Sequence, residues 1–191
     1  MKGYNKLLMI VDPQVDFICG ALPVSGAVTA MDSLAQYIDE NRDEYSHIVV
    51  TADRHPFDHL SFKNRGGEWP AHCVHDSIGA AVWQPVMDAL SRFKGKMAFL
   101  HKGERHDREE YSIFKNENAL AEIAEMITAG DIGQIDICGI AGDVCVADTL
   151  LDGIEIFGAA KFNVLLRFCP SLDGGKRLNE IISKLEISCD R

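Results

Sequence analysis

Short apolar runs alternate along this chain with apolar stripes at helical spacing, and no other feature narrows its fold as much. Leu7 to Val11 is a continuous apolar run, too short for a helix and long enough for a buried strand. Val28, Met31, Leu34, Ala35 and Ile38 recur with helical periodicity, which predicts an amphipathic helix from about Val28 to Asn41. Further strands are expected over His47 to Ala52, Met97 to Leu100 and Ile135 to Ile140, with a helix marked by Leu120, Ile123, Ala124 and Ile127. Val144 to about Ile156 reads as another helix and Asn163 to Leu166 as a fifth strand. Leu178, Ile181, Ile182 and Leu185 mark a last helix before an edge strand at Glu186 to Ser188. Such alternation predicts an α/β fold, a three-layer sandwich in which helices cover both faces of a mainly parallel sheet wound by right-handed crossovers.

At 191 residues the chain is expected to form a single domain, residues 1–191, with a core that needs no disulfide or metal staple. Lys and Arg total 19 against 29 Asp and Glu, so the net charge is 19 − 29 = −10, which argues against a nucleic-acid partner. No run approaches the length of a membrane span, and the apolar stretch at Leu7 to Val11 is too brief for a signal-peptide core. The six cysteines are widely spaced and form no Cys-x-x-Cys pair, so they read as reduced thiols in a cytoplasmic protein. Self-association into a homo-oligomer is left open.

In open α/β sheets ligands bind beyond the carboxyl ends of the strands. The polar residues expected there are Asp12 after the first strand, Asp53 and His55 after the second, Lys102 after the third and Cys145 after the fourth. A parallel sheet gathers them at one edge. Most cysteines are small buried hydrophobes, and Cys19, Cys73, Cys138, Cys169 and Cys189 are assigned that role. Cys145 differs because it follows the small-residue turn Gly139 to Asp143 and opens a helix, where the dipole and Lys102 are expected to favour the thiolate. Asp12 alone could be a capping residue, but beside a thiol a carboxylate of raised pKa can move the protons that amide cleavage requires.

Between Asp53 and Ile78 no clean periodicity appears, and Phe57, Leu60, Phe62 and Trp69 argue against disorder there. This stretch carries Asp53-Arg54-His55 and His72, a carboxylate and two imidazoles suited to a divalent transition ion. Glu68 is an outside candidate for a further ligand. His59, His75, His101 and His106 are assigned to the surface or to loop packing.

Taken together, these motifs resemble the nicotinamidase branch of the isochorismatase-like cysteine hydrolases. The resemblance is carried by Val11-Asp12-Pro13-Gln14-Val15-Asp16-Phe17, by Asp53-Arg54-His55-Pro56 with His59, Ser61 and Phe62, and by Gly66-Gly67-Glu68-Trp69-Pro70-Ala71-His72-Cys73. It continues through Lys102-Gly103, Tyr111-Ser112 and Gly139-Ile140-Ala141-Gly142-Asp143-Val144-Cys145-Val146. The resemblance implies a triad of Asp12, Lys102 and Cys145, and one divalent metal, zinc before iron or manganese, on Asp53, His55 and His72. It also implies a cis peptide before Ala141, an oxyanion hole from the Ala141 and Cys145 N–H groups, and ring-packing walls from Phe17, Trp69 and Tyr111. The implied activity is hydrolysis of nicotinamide to nicotinate and ammonia in NAD salvage, with pyrazinamide as a second substrate and the metal fixing the ring nitrogen. The sequence departs from the family's pattern at Gly142 (commonly Thr), Val144 (often aromatic), Arg54 (usually Trp) and Arg167-Phe168 (usually Asp-Ala). Two rival readings stand beside it: a related amidohydrolase acting on a ureido or carbamoyl compound, and a non-catalytic metal-binding protein of the same fold.

Overall fold

The Leu7–Val11 run becomes the core of a central strand, β1 (Asn5–Val11), whose last five residues are fully buried because the sheet is covered on both sides. The computed structural model describes residues 5–190. Its six strands are β1, β2 (Tyr45–Asp53), β3 (Lys96–Lys102), β4 (Ile132–Gly139), β5 (Phe162–Leu165) and β6 (Ser188–Asp190). They form one all-parallel sheet in the order β3-β2-β1-β4-β5-β6. Six helices connect them: α1 (Val15–Ile18), α2 (Ala27–Asn41), α3 (Gln84–Ser91), α4 (Glu117–Ala129), α5 (Ala147–Phe157) and α6 (Lys176–Lys184). With right-handed crossovers, α2 and α3 pack on one face and α4, α5 and α6 on the other.

Helix α2 buries Met31, Leu34, Ala35 and Ile38 of the stripe read from the sequence, with Ala27 in place of Val28, which is exposed. Asn116 caps α4 by accepting from the Asn118 and Ala119 N–H groups, and the helix ends at Gly130. Three expectations need correction. The terminal edge strand lies at Ser188–Asp190, two residues later than predicted, where it pairs in register with Asn163 to Leu165. Ile140 leaves the fourth strand, which ends at Gly139; the Ile140–Ala141 peptide beside it is cis, as the resemblance implies. Val144 does not begin an α-helix: residues Gly142–Val146 form a wider π-type turn, and α5 starts at Ala147.

The connections reverse direction between β1 and β4: β1 leads to β2 on one side, while β4 leads to β5 on the other. Such a switch point opens a crevice at the carboxyl ends of the strands. Here it places Asp12, which follows β1, opposite the turn that follows β4.

Candidate active site

Four strand ends meet in this crevice. Asp53 and Lys102 are cross-strand partners at the ends of β2 and β3, and Asp12 follows β1 with a left-handed backbone (φ 47) that aspartate tolerates better than most residues. Lys102 is fully buried, its ammonium 2.9 Å from Asp12 Oδ2, 2.5 Å from Asp53 Oδ1 and 3.5 Å from Cys145 Sγ. Thr51 Oγ1 donates to Asp12 Oδ1 (2.7 Å), whereas Oδ2, although ion-paired with Lys102, has no properly directed hydrogen bond. One carboxylate oxygen beside the thiol therefore remains available for a proton.

Burial pulls the Lys102 ammonium down, but Asp12, Asp53 and Cys145 outweigh it and hold the group well above its ordinary value, so it stays charged. Burial pushes the Asp53 carboxyl up, yet Lys102 and His55 together bring it below the usual carboxylate range. For Asp12 burial wins, with Asp53 pushing the same way against Lys102, and the carboxyl is raised. These two aspartates, on one ammonium, thus divide into a permanent anion and a group suited to proton transfer.

The expected Cys145 thiolate is corrected by the same geometry. Burial pushes the thiol well above its ordinary value; Lys102 opposes this, while Asp12 and Asp53 reinforce it. Two anions surround one cation, and the sulfur sits in a π-type turn rather than on the first turn of α5. Burial and the two carboxylates thus work against a thiolate here, and Lys102 works for it.

Asp53, His55 and His72 are all buried, and one ligand atom from each lies within 4.8 Å of the others. His55 Nδ1 is engaged by Gly103 O (2.9 Å) and His72 Nδ1 by Pro70 O (2.8 Å), which leaves both Nε2 atoms to face an ion. Burial lowers the pKa of His72 and so keeps its imidazole neutral, as a metal ligand must be. At His55 burial also acts downward, but Asp53 overrides it and raises the pKa, so this position favours positive charge. The donor set fits a divalent cation. Gly103 has φ 67, and a Cβ there would lie 2.6 Å from His55 Nδ1, so both its conformation and the ring's seat require glycine.

Two residues of the first motif, quoted in the sequence but given no role there, shape the site. Gln14 clamps the Asp53 backbone from both sides: its Oε1 accepts from Asp53 N–H (2.8 Å) and its Nε2 donates to Asp53 O (2.8 Å). Asp16 Oδ2 accepts from the Cys73 N–H (2.7 Å) and fixes the segment that carries His72. Their signal was a polar residue in every second position after a buried strand. Among the described residues the carboxylate beside the imidazoles is Glu109, grouped with His55 and His59, and not Glu68. His59 is buried, stacked on His55 at 4.1 Å between ring centroids, so it packs directly against the ligand set. Cys19 is exposed, contrary to its assigned core role, and all six cysteines are free.

These groups open onto a narrow cavity with room for about 30 Å3. Phe17, Trp69 and Tyr111 line it, with Trp69 Nε1 donating to Tyr111 Oη (3.1 Å), and Asp53, His72, Ala141 and Cys145 are at its base. Leu22, Val24 and Leu172 add apolar wall that the sequence reading did not name, Val144 lies among them, and Glu109 adds a carboxylate. The arrangement offers a largely apolar slot beside a thiol, a buried carboxylate and a donor set that fits a cation.

Residues 6–156 match the Isochorismatase domain family. The chain is 33% identical over 157 residues to the nicotinamidase/pyrazinamidase of Mycobacterium tuberculosis, covering 78% of this chain and 79% of that protein. It is 28% identical over 186 residues to the nicotinamidase of Escherichia coli, covering 88% and 84%. The pyrazinamidase of Pyrococcus horikoshii, solved in complex with zinc, superposes with a TM-score of 0.82 at 28% identity over 98% of this chain and 99% of that one. Sequence, fold and strand-end chemistry agree, and the chain belongs to the isochorismatase-like superfamily, in its nicotinamidase branch.

Proposed function

We propose that this single-domain protein is a metal-dependent cysteine amidase that hydrolyses nicotinamide to nicotinate and ammonia, and accepts pyrazinamide. The observation that carries the reading is the convergence of Asp12, Lys102 and Cys145 with the Asp53, His55 and His72 donor set in one aromatic-walled cavity. A carbamoyl or ureido substrate would make no use of the aromatic walls or of that donor set. The six free cysteines support a reducing, cytoplasmic setting.

In this mechanism Asp12 takes the Cys145 proton as the sulfur attacks the carboxamide carbon, which removes the cost of a resting thiolate in a buried site. Negative charge developing on the carbonyl oxygen is received by the N–H groups of Ala141 and Cys145. Asp12, now protonated, delivers its proton to the departing nitrogen, ammonia leaves, and a thioester remains on Cys145. Water then gives a proton to Asp12 and attacks the thioester; the carboxylic acid is released and the proton returns to sulfur. Lys102 keeps its charge throughout, orienting Asp12 and offsetting the anion formed at sulfur. When bound by Asp53, His55 and His72, a divalent metal, zinc in our reading, would supply a Lewis-acid anchor for the ring nitrogen. Phe17, Trp69 and Tyr111 hold the ring flat against this anchor and exclude water from its faces.

Ammonia release from nicotinamide, pyrazinamide and a ureido compound, with metal content determined on the same sample, tests the reading. Turnover of the two ring amides with metal bound is expected. Turnover of the ureido compound alone would overturn it.

A further inference from the structure

Leu172 lines the cavity beside Val144 and Cys145 and belongs to residues 169–173, a segment that no motif singles out. It runs directly over the turn that carries Cys145. Gly142 N–H donates to Pro170 O (2.8 Å). A Cβ at position 142 would lie 2.6 Å from Cys169 O and 3.2 Å from Cys169 Cβ, and would collide with the Ser171 hydroxyl, which itself donates to Cys169 O (3.1 Å). The close approach therefore depends on the absence of a side chain at residue 142.

Asp143 fastens the segment further. Its Oδ1 accepts from Leu172 N–H (2.9 Å) and its Oδ2 from Asp173 N–H (3.0 Å), while Arg177 donates to the Asp143 carbonyl (2.7 Å). Asp173 in turn accepts from the Gly175, Lys176 and Arg177 N–H groups at the start of α6. The segment is thus strapped to the nucleophile turn on one side and to α6 on the other. Leu172, between the straps, is 46% exposed and yet lines the cavity with Val144 and Cys145. It stands at the mouth, its place set by two backbone clamps rather than by core packing.

We infer that Leu172 is a specificity-determining residue of the site, and that Gly142 and Asp143 are the positioning residues that hold it over the pocket. The substrate class selected is the flat heteroaromatic carboxamide without a ring substituent reaching this rim. The inference rests on the functional reading above. A rigid apolar wall discriminates a single methyl group by about 10- to 200-fold, and one that can be trimmed loses that discrimination.

The test compares kcat and KM for nicotinamide and a panel of ring-methylated nicotinamides, using the full chain with its metal bound. Leu172→Ala is expected to raise kcat/KM for at least one methylated isomer relative to nicotinamide by about tenfold or more, chiefly through KM. Asp143→Ala is expected to shift the ratio the same way and to remove hydrogen-exchange protection from the Leu172 and Asp173 amides. Asp143→Asn, which keeps one acceptor oxygen, should restore part of both. Ratios within about twofold of wild type for every isomer in Leu172→Ala would overturn the inference. So would amides at 172 and 173 that exchange alike in wild type and Asp143→Ala. A wild-type protein that releases ammonia from no ring amide would overturn the functional reading first, visibly and before any variant is made, and this inference with it.

Discussion

Lys102 Nζ lies 3.5 Å from Cys145 Sγ, with both side chains removed from solvent and two aspartates on the same ammonium. The lysine is therefore a fixed charge shared among three acceptors, and no one of them can be removed without leaving the others over- or under-compensated. Lys102→Ala leaves Asp12 and Asp53 facing each other in a buried site, and loss of one partner from such a cluster costs about 3–5 kcal/mol. A lowered denaturation midpoint together with loss of ammonia release is expected; wild-type stability would contradict the coupling.

Cys145→Ala is expected to abolish turnover while the fold survives, because the sulfur ends in a cavity and contributes little packing. Cys73→Ala should act in the opposite sense. Its thiol is buried and pushed up by desolvation, so the change costs stability, on the order of 1 kcal/mol, and leaves chemistry in place. Circular-dichroism melts and single-turnover ammonia release on the two variants separate these outcomes.

Asp12→Asn retains shape and the Thr51 contact but cannot carry the thiol proton to the leaving nitrogen. Loss of a positioned acid–base group lowers the rate by about a hundredfold to ten-thousandfold. An activated ester needs no protonated leaving group, so its acylation should fall less than that of nicotinamide. Equal losses for amide and ester in single-turnover measurements would require a different leaving-group acid.

His55→Ala and His72→Ala should each lower bound metal and raise KM for nicotinamide more than they lower kcat, with the melting transition still cooperative. Metal content by elemental analysis and steady-state kinetics on one preparation give both readouts. Full metal occupancy in either variant would remove that histidine from the ligand set.

Asp16→Ala tests a residue that touches neither thiol nor substrate. It leaves the buried Cys73 N–H without its acceptor, a loss of about 1–3 kcal/mol, and frees the segment that carries His72. Weaker metal binding in a competition titration with a chelator is expected. Unchanged metal affinity in a destabilised protein would make Asp16 a purely structural residue.

Tyr45→Phe serves as the remote counterpart. Tyr45 Oη donates to Asp136 Oδ2 (2.7 Å) in a buried network at the other end of the sheet, with Asn163 Nδ2 on Asp136 Oδ1. Removing a hydrogen bond to a buried carboxylate costs about 1.5–3 kcal/mol. Lower stability with unaltered kcat and KM is expected.

What the sequence determined by itself was whatever depends on local periodicity and on chain direction. The apolar runs ending at Asp12, Asp53, Lys102 and just before Cys145 specify buried parallel strands, and parallel strands end on one side, so the gathering of Asp12, Asp53, His55, Lys102 and Cys145 at one edge was legible without coordinates. The four-residue α1 and the eight-residue α3 were not, because each is too short to show an apolar period of its own and is held by tertiary contacts. The balance of effects on the Cys145 thiol was also beyond the sequence. A thiol after a small-residue turn looks activated, but desolvation and the count of anions around Lys102 depend on packing from four separate strands. The Gln14 and Asp16 clamps, Glu109 beside the imidazoles and Leu172 over the mouth share that origin: each acts on residues 30 or more positions away in the chain or across a loop, and only the folded backbone brings donor and acceptor within reach.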